Sequence, residues 1–413
     1  MSTSNQITRW YIIYMILFIV SCNQRKAPQS AQSESGHKHT LISTENNVSL
    51  SDWSLSSEDL GLKGQSWSVN MVELKGGKQD GVHLIEVDNG RMKLSVIPTR
   101  GMSIYSVEYK DIVLGWDSQV KEIVNPKLVN LESNNGLGWL DGFNEWMVRC
   151  GIEFAGHPGL DQGRFLTLHG RIGNIPASEV EVIIDETPPY RIRVRGRVNE
   201  VSDDGPNLEL LTEVSTEPGS NSLRIDDVLT NRSNKDQEFM VIYHGNFGPP
   251  LLEQGSQLFG TIEKVVAFDE FSLEKVNNWD IYDAPTLGIA ERVNCLYPFA
   301  DDQGMAHFIL QNQSGDKAVS FTYPIDQLPF ITQWKNMDSD RYVTGLEPGT
   351  GFPHNRSIER KYGRVPILGP GDSRKFNLEY TIHADPVEIK SKIEEIQRIG
   401  RRGFEIATTV IDK

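Results

Sequence analysis

The sequence predicts an all-β fold: a large multi-stranded antiparallel sandwich or barrel, with one helix near the C-terminus. Three observations carry this reading. The 36 Gly and 20 Pro among 413 residues, about one residue in seven, suit many short strands joined by tight turns. From about residue 80 onward, apolar and polar residues alternate repeatedly at period two. Helical spacing is convincing in one place only, where Ile389, Ile393 and Ile396 recur among Lys and Glu between Pro386 and Gly400.

The chain begins with a polar stretch carrying one cation, Arg9, followed by the apolar run Trp10 to Val20. Eleven residues are too few to span a bilayer, and a charged start with an apolar core of this length reads as a secretory signal. The ending Ile19-Val20-Ser21-Cys22 resembles the lipobox of bacterial lipoproteins, in which the Cys becomes the lipidated first residue. Residues 1–21 are therefore expected to be a signal peptide, Cys22 the lipidation site, and the cell envelope the destination. Asn23 rather than Asp after that Cys favours the outer membrane. Residues 22–50 are rich in Ser, Gln, Asn and charge, which predicts a flexible tether. His37-Lys38-His39 within it has the makings of an adventitious metal contact and no more.

Residues 51–413 lack a compositional break or an internal repeat, so they are expected to form one domain. Met92, Leu94 and Val96 share a strand face that ends at Pro98. Ile192, Val194 and Val198 alternate with Arg191, Arg193, Arg195 and Arg197, predicting a strand whose cations hold cross-strand carboxylates or face solvent. Residues 208–214 and 223–229 flank Pro218-Gly219-Ser220-Asn221, the signature of a long hairpin. Further strands are expected at 239–243, 318–323 and 376–382.

Composition also excludes classes of partner. With 41 Lys and Arg against 56 Asp and Glu, the formal charge of −15 repels a phosphate backbone, so nucleic acid is not expected. The three Cys, at 22, 150 and 295, are too scattered for a disulfide framework or a Cys-rich zinc site. Cys150 and Cys295 lie in strand-like surroundings and are expected to be free, buried thiols. The chain offers no Gly-rich phosphate loop and no nucleophile elbow, and no cofactor or metal is expected.

Three stretches are unlike strand filler. Thr167-Leu168-His169-Gly170 and Ile242-Tyr243-His244-Gly245-Asn246-Phe247 each set a His before Gly after an apolar run, and Gly345-Leu346-Glu347-Pro348-Gly349 sets one carboxylate among Gly and Pro. Placed at strand exits, two imidazoles and a carboxylate make a proton-transfer constellation, because His titrates near neutrality and burial raises a Glu towards it. Trp116, Trp139, Trp146 and Trp334 are candidates for a platform on which a sugar face stacks.

The order and spacing of these motifs resemble the aldose 1-epimerase (galactose mutarotase-like) superfamily. Pro98-Thr99-Arg100-Gly101-Met102, Gly138-Trp139-Leu140-Asp141-Gly142-Phe143 and Leu168-His169-Gly170-Arg171-Ile172 look like an uncharacterised bacterial branch of it. The resemblance covers about residues 80 to 385. It implies a β-sandwich that opens and recloses a sugar ring on a mono- or oligosaccharide, with Glu347 as base, His244 as acid, and His169 binding and polarising the sugar. Arg100, Asp141, Arg171, Asn246 and Trp334 are the implied substrate contacts, although the Arg100 motif departs from the family's Asn-Arg form. The Asp that grips sugar hydroxyls has Asp141 and Asp338 as candidates. Three other readings use the same residues: a non-catalytic carbohydrate-binding lipoprotein, another sugar isomerisation or lyase-type proton abstraction, and a His169-His244-Glu347 metal site.

Overall fold

The computed structural model describes residues 36–400 and 403–412. Two large sheets stand back to back. One has ten strands and runs, edge to edge, through Gln257–Gly260, Met305–Gln311, Ala318–Pro324, Ser373–His383, Ser222–Asn231, Asn207–Thr216, Ile192–Val201, Glu179–Asp185, Gly36–Ser43 and Val48–Ser49. The other has thirteen strands, with Arg292–Pro298, Phe330–Asn336, Val343–Gly349, Met240–Phe247, Met147–Ile152 and Ser103–Tyr109 consecutive at its centre. Among the described residues the strand pairing within both sheets is antiparallel except where the edge strand Glu405–Val410 runs parallel to Ile262–Ala267.

Period-two patterning builds the space between the sheets. Ile192, Val194 and Val198 point inward and are buried, as are Leu208, Leu210 and Val214 on the next strand. The intervening cations do hold cross-strand carboxylates: Arg195 stands directly opposite Glu213, with Nη2 2.7 Å from Oε2, and Arg197 opposite Glu179, with Nε 2.9 Å from Oε2. Phe308, Phe321 and Tyr380 lie in register on three neighbouring strands and stack at 5.1 and 5.4 Å between ring centres. Trp146, from the larger sheet, meets Tyr380 edge-on at 5.1 Å and so joins the two layers. A buried ion pair does the same, for Arg149 Nη2 donates to Asp227 Oδ1 at 3.0 Å from one sheet to the other.

The expected hairpin is present, with Asn207–Thr216 and Ser222–Asn231 paired along their length. The helix Pro386–Ile399 is capped by Asp385, whose carboxylate accepts from the backbone N–H groups of Val387 and Glu388. It buries Ile389 and Ile396 against Ile309 and Ala318 on the outer face of the ten-stranded sheet. Cys150 and Cys295 are free and buried.

The expected tether is partly ordered. Gly36–Ser43 pairs antiparallel with Glu179–Asp185, and Val48–Ser49 folds back onto it. This segment commits only Leu41 and Ile42 to the hydrophobic core while most of its other side chains are polar, so composition alone does not separate such an edge strand from a solvated linker. The signal peptide, Cys22 and the first part of the tether lie outside the described residues. Among the described residues no helix is long and apolar enough to cross a membrane.

Candidate active site

The central strands of the thirteen-stranded sheet present one face to the other sheet and the opposite face to two covering segments, at about residues 116–143 and 153–175. On strand Met240–Phe247, Val241, Tyr243 and Phe247 join the intersheet core, whereas Ile242 belongs to a second apolar cluster under those covering segments. Alternation therefore places His244 on the outer, covered face. The register pairs Gly245 with Leu346 and Asn246 with Gly345, which brings His244 and Glu347 side by side on adjacent strands. His244 Nε2 lies 3.2 Å from Glu347 Oε1.

Both residues sit within strands rather than at their exits, contrary to the sequence reading. Their neighbouring glycines mark crowding, not turns. A Cβ on Gly345 would fall 2.3 Å from Glu347 Oε1 and 3.3 Å from His244 Cε1, and one on Gly245 would meet Met147 and the Leu346 carbonyl at about 3 Å. Gly at these positions makes room for the carboxylate and the imidazole on a flat, packed sheet.

His169 arrives from above. It occupies the left-handed region at φ 57°, and Gly170 follows at φ 71°, where a Cβ would strike the Phe154 carbonyl oxygen at 2.0 Å. This two-residue left-handed turn aims the imidazole at the sheet, with its ring centre 5.3 Å from that of His244. His169 Nδ1 lies 3.1 Å from the Ala155 carbonyl oxygen, and donation there leaves Nε2 as an acceptor.

Aromatic rings enclose the group. Phe143, Trp334 and Trp139 have ring centres 5.2, 5.8 and 6.0 Å from that of His244. Trp334 is held across the outside by its Nε1–H, which donates to Glu291 Oε2 at 2.8 Å. Little water reaches the interior: relative exposures are 9% for His169, 4% for His244 and 2% for Glu347. Burial accordingly pushes Glu347 well above the usual carboxylate range, with the charge of Glu291 adding to it. Burial also holds His244 well below the ordinary imidazole value, reinforced by His169, and lowers His169 to about 4 despite its backbone partner. Burial thus favours the uncharged form of each group, a protonated Glu347 beside a neutral His244. Glu347 Oε1, His244 Nδ1, Asn246 Oδ1 and Thr332 Oγ1 are buried without hydrogen-bond partners, which marks a site made to meet a polar ligand.

The other expected contacts divide. Trp334 is in the cage, and Asn246 braces the strand beneath it, its Nδ2 donating to the Glu145 carbonyl at 3.0 Å. Asp141 is exposed on the rim, in a cleft next to the cage. Arg100 is wholly buried, its Nε donating to Glu145 Oε1 at 2.7 Å and its Nη1 to the Val124 carbonyl at 3.0 Å. Arg171 turns away to Glu200, with Nε 3.0 Å from Oε1. Asp338 is half-buried after the strand Phe330–Asn336. Of the four Trp singled out, Trp146 faces the intersheet core instead. Sequence reasoning missed Phe143 and Thr332 as site residues. Phe143 stood in the quoted Gly138–Phe143 motif, but Thr332 had no signal beyond its strand, for its place opposite Glu347 depends on register.

His354, Glu359 and Asp412 form the cluster with metal-ligand spacing found among the described residues. The Arg364 guanidinium already neutralises both of its carboxylates, at 2.7 and 2.5 Å.

Two such sheets with a covered His–Glu site on the larger define a galactose mutarotase-like β-sandwich protein. The chain belongs to the family described as Domain of unknown function (DUF4432), whose model matches residues 79–382. It is 39% identical to a Klebsiella pneumoniae protein provisionally described as an aldose 1-epimerase. That crystal structure superposes with a TM-score of 0.90, covering 92% of this chain and all of the other. More distant structures share the fold. A galactose mutarotase-like protein from Clostridium acetobutylicum is 12% identical with TM-score 0.53, over 76% of this chain and 98% of that one. Galactose 1-epimerase from Lactobacillus acidophilus is 12% identical with TM-score 0.50, over 77% and 99%. No curated protein sequence matches the chain.

Proposed function

We propose that the protein interconverts the anomers of a reducing sugar by acid–base ring opening. The observation that carries this reading is the close pair His244–Glu347, 3.2 Å apart and buried inside an aromatic cage. Ring opening asks for that inventory. A base removes the proton of the anomeric hydroxyl, the electrons form a carbonyl, the ring C–O bond breaks, and an acid protonates the departing ring oxygen. The two oxygens share one carbon, so the donor and acceptor must stand close together, as these two do. The free aldehyde then rotates, and the same steps in reverse close the ring on its other face.

Glu347 is the base and His244 the acid in this reading, which follows the superfamily resemblance and the provisional description of the Klebsiella relative. It requires Glu347 ionised and His244 protonated when the sugar reacts. In the apolar cage burial favours the uncharged arrangement, with the proton on Glu347, and sugar hydroxyls that hydrogen-bond the carboxylate shift it. His169, fixed by Ala155, presents Nε2 to the sugar, and Trp139, Phe143 and Trp334 offer ring faces to its C–H surfaces.

The assay follows optical rotation or anomeric proton exchange of freshly dissolved sugars. Wild type should accelerate equilibration, and Glu347→Gln should lower the rate at least about a hundredfold while sugar binding persists. Sugar binding by wild type without acceleration would instead identify a carbohydrate-binding protein built on this fold.

A further inference from the structure

We propose that a cleft beside the cage binds a second sugar unit, so that the preferred ligand is a reducing disaccharide or longer oligosaccharide; this rests on the proposed anomer interconversion. The cleft has a volume of about 390 Å³, within the range of small-molecule sites. Phe143 joins it to the cage: the ring lines the cleft and also lies 5.2 Å from that of His244.

The lining has the character of a sugar site. Trp116 and Phe143, 5.0 Å apart, form an aromatic wall, and the Trp116 indole N–H is buried without a partner. Around them stand exposed polar groups of every kind a hydroxyl can pair with: the Asn134 amide, the Asp141 carboxylate and the Arg341 guanidinium. Among the described residues Arg341 has no ion-pair partner, and Asp141 has no salt bridge. Asn134 and Asn135 hold left-handed backbone, φ 51° and 58°, on the rim, a conformation that concentrates at ligand sites.

Reaction geometry sets the direction. The anomeric carbon is the terminus of a reducing saccharide, so with that carbon at Glu347 and His244 the remaining units must extend away from them. A single sugar unit held at Glu347 and His244 leaves the groups of the adjoining cleft, Trp116, Asn134, Asp141 and Arg341, for a second unit.

The test compares binding and turnover separately. By calorimetry, lactose, maltose, cellobiose and melibiose are titrated against galactose and glucose. At least one disaccharide should bind tenfold or more tightly than its own reducing-end monosaccharide, and Arg341→Ala and Asn134→Ala, both at exposed positions, should erase that advantage. Equal affinity for every disaccharide and its monosaccharide, or an advantage untouched by both substitutions, overturns the subsite. Anomer exchange is read on the same sugars. If binding shows the disaccharide advantage but no sugar is equilibrated faster than in buffer, the catalytic reading fails and the subsite stands.

Discussion

Gly345 and Glu347 share one face of a single strand, and the absent side chain of the first is the space in which the carboxylate of the second lies. A Cβ on Gly345 would stand 2.3 Å from Glu347 Oε1, closer than any tolerated contact. Because the strand is central and both neighbours are paired to it, the backbone cannot retreat. Gly345→Ala should therefore displace the carboxylate rather than unfold the sheet. Its anomerisation rate should fall by a factor comparable to that of Glu347→Gln, with a β-type circular dichroism spectrum retained. Wild-type activity in this variant would place the working carboxylate elsewhere.

Glu291 latches Trp334 and its charge raises Glu347. Replacing it by Gln keeps an acceptor for the indole N–H and removes the charge. With less negative charge nearby, Glu347 loses its proton at lower pH, so the alkaline limb of the rate profile should move to lower pH in Glu291→Gln. Profiles that superimpose would show that the Glu291 charge does not reach the site.

His169 is buried and neutral, lowered to about 4 from an ordinary 6.5. The unfolded chain takes up its proton first as pH falls, so the native state loses stability between about pH 6.5 and 4 and no further below. The difference corresponds to roughly 3 kcal/mol. Unfolding measured at pH 6.5 and 4 should show wild type losing that much more than His169→Asn. An equal loss in both proteins would mean that the imidazole is protonated in the folded state.

The apolar run and Ile19-Val20-Ser21-Cys22 lead us to propose a mature chain that begins at acylated Cys22. Mass spectrometry of the membrane fraction should find the lipidated N-terminal peptide, and Cys22→Ser should release the protein or block processing. A membrane-fraction chain that still carries Met1 unmodified would refute this.

Much of the molecule was written locally. Alternation of apolar and polar residues defines each strand, as in Ile192, Val194 and Val198, and the isoleucine spacing of 389, 393 and 396 defines the helix, because these periods act over a few residues at a time. His169-Gly170 was legible as a His before Gly after an apolar run, whereas the left-handed turn it makes, φ 57° and 71°, emerged only in the fold. What the chain could not state by itself is which strands become neighbours and in what register. That decided that His244 and Glu347, about a hundred residues apart, touch in mid-strand, and that Thr332 faces the same space. It also decided that Arg100 and Arg171, polar and near the motifs in sequence, spend their charge on Glu145 and Glu200. Local periodicity assigns a side chain to a face; only the closing of two sheets on one core determines what waits there.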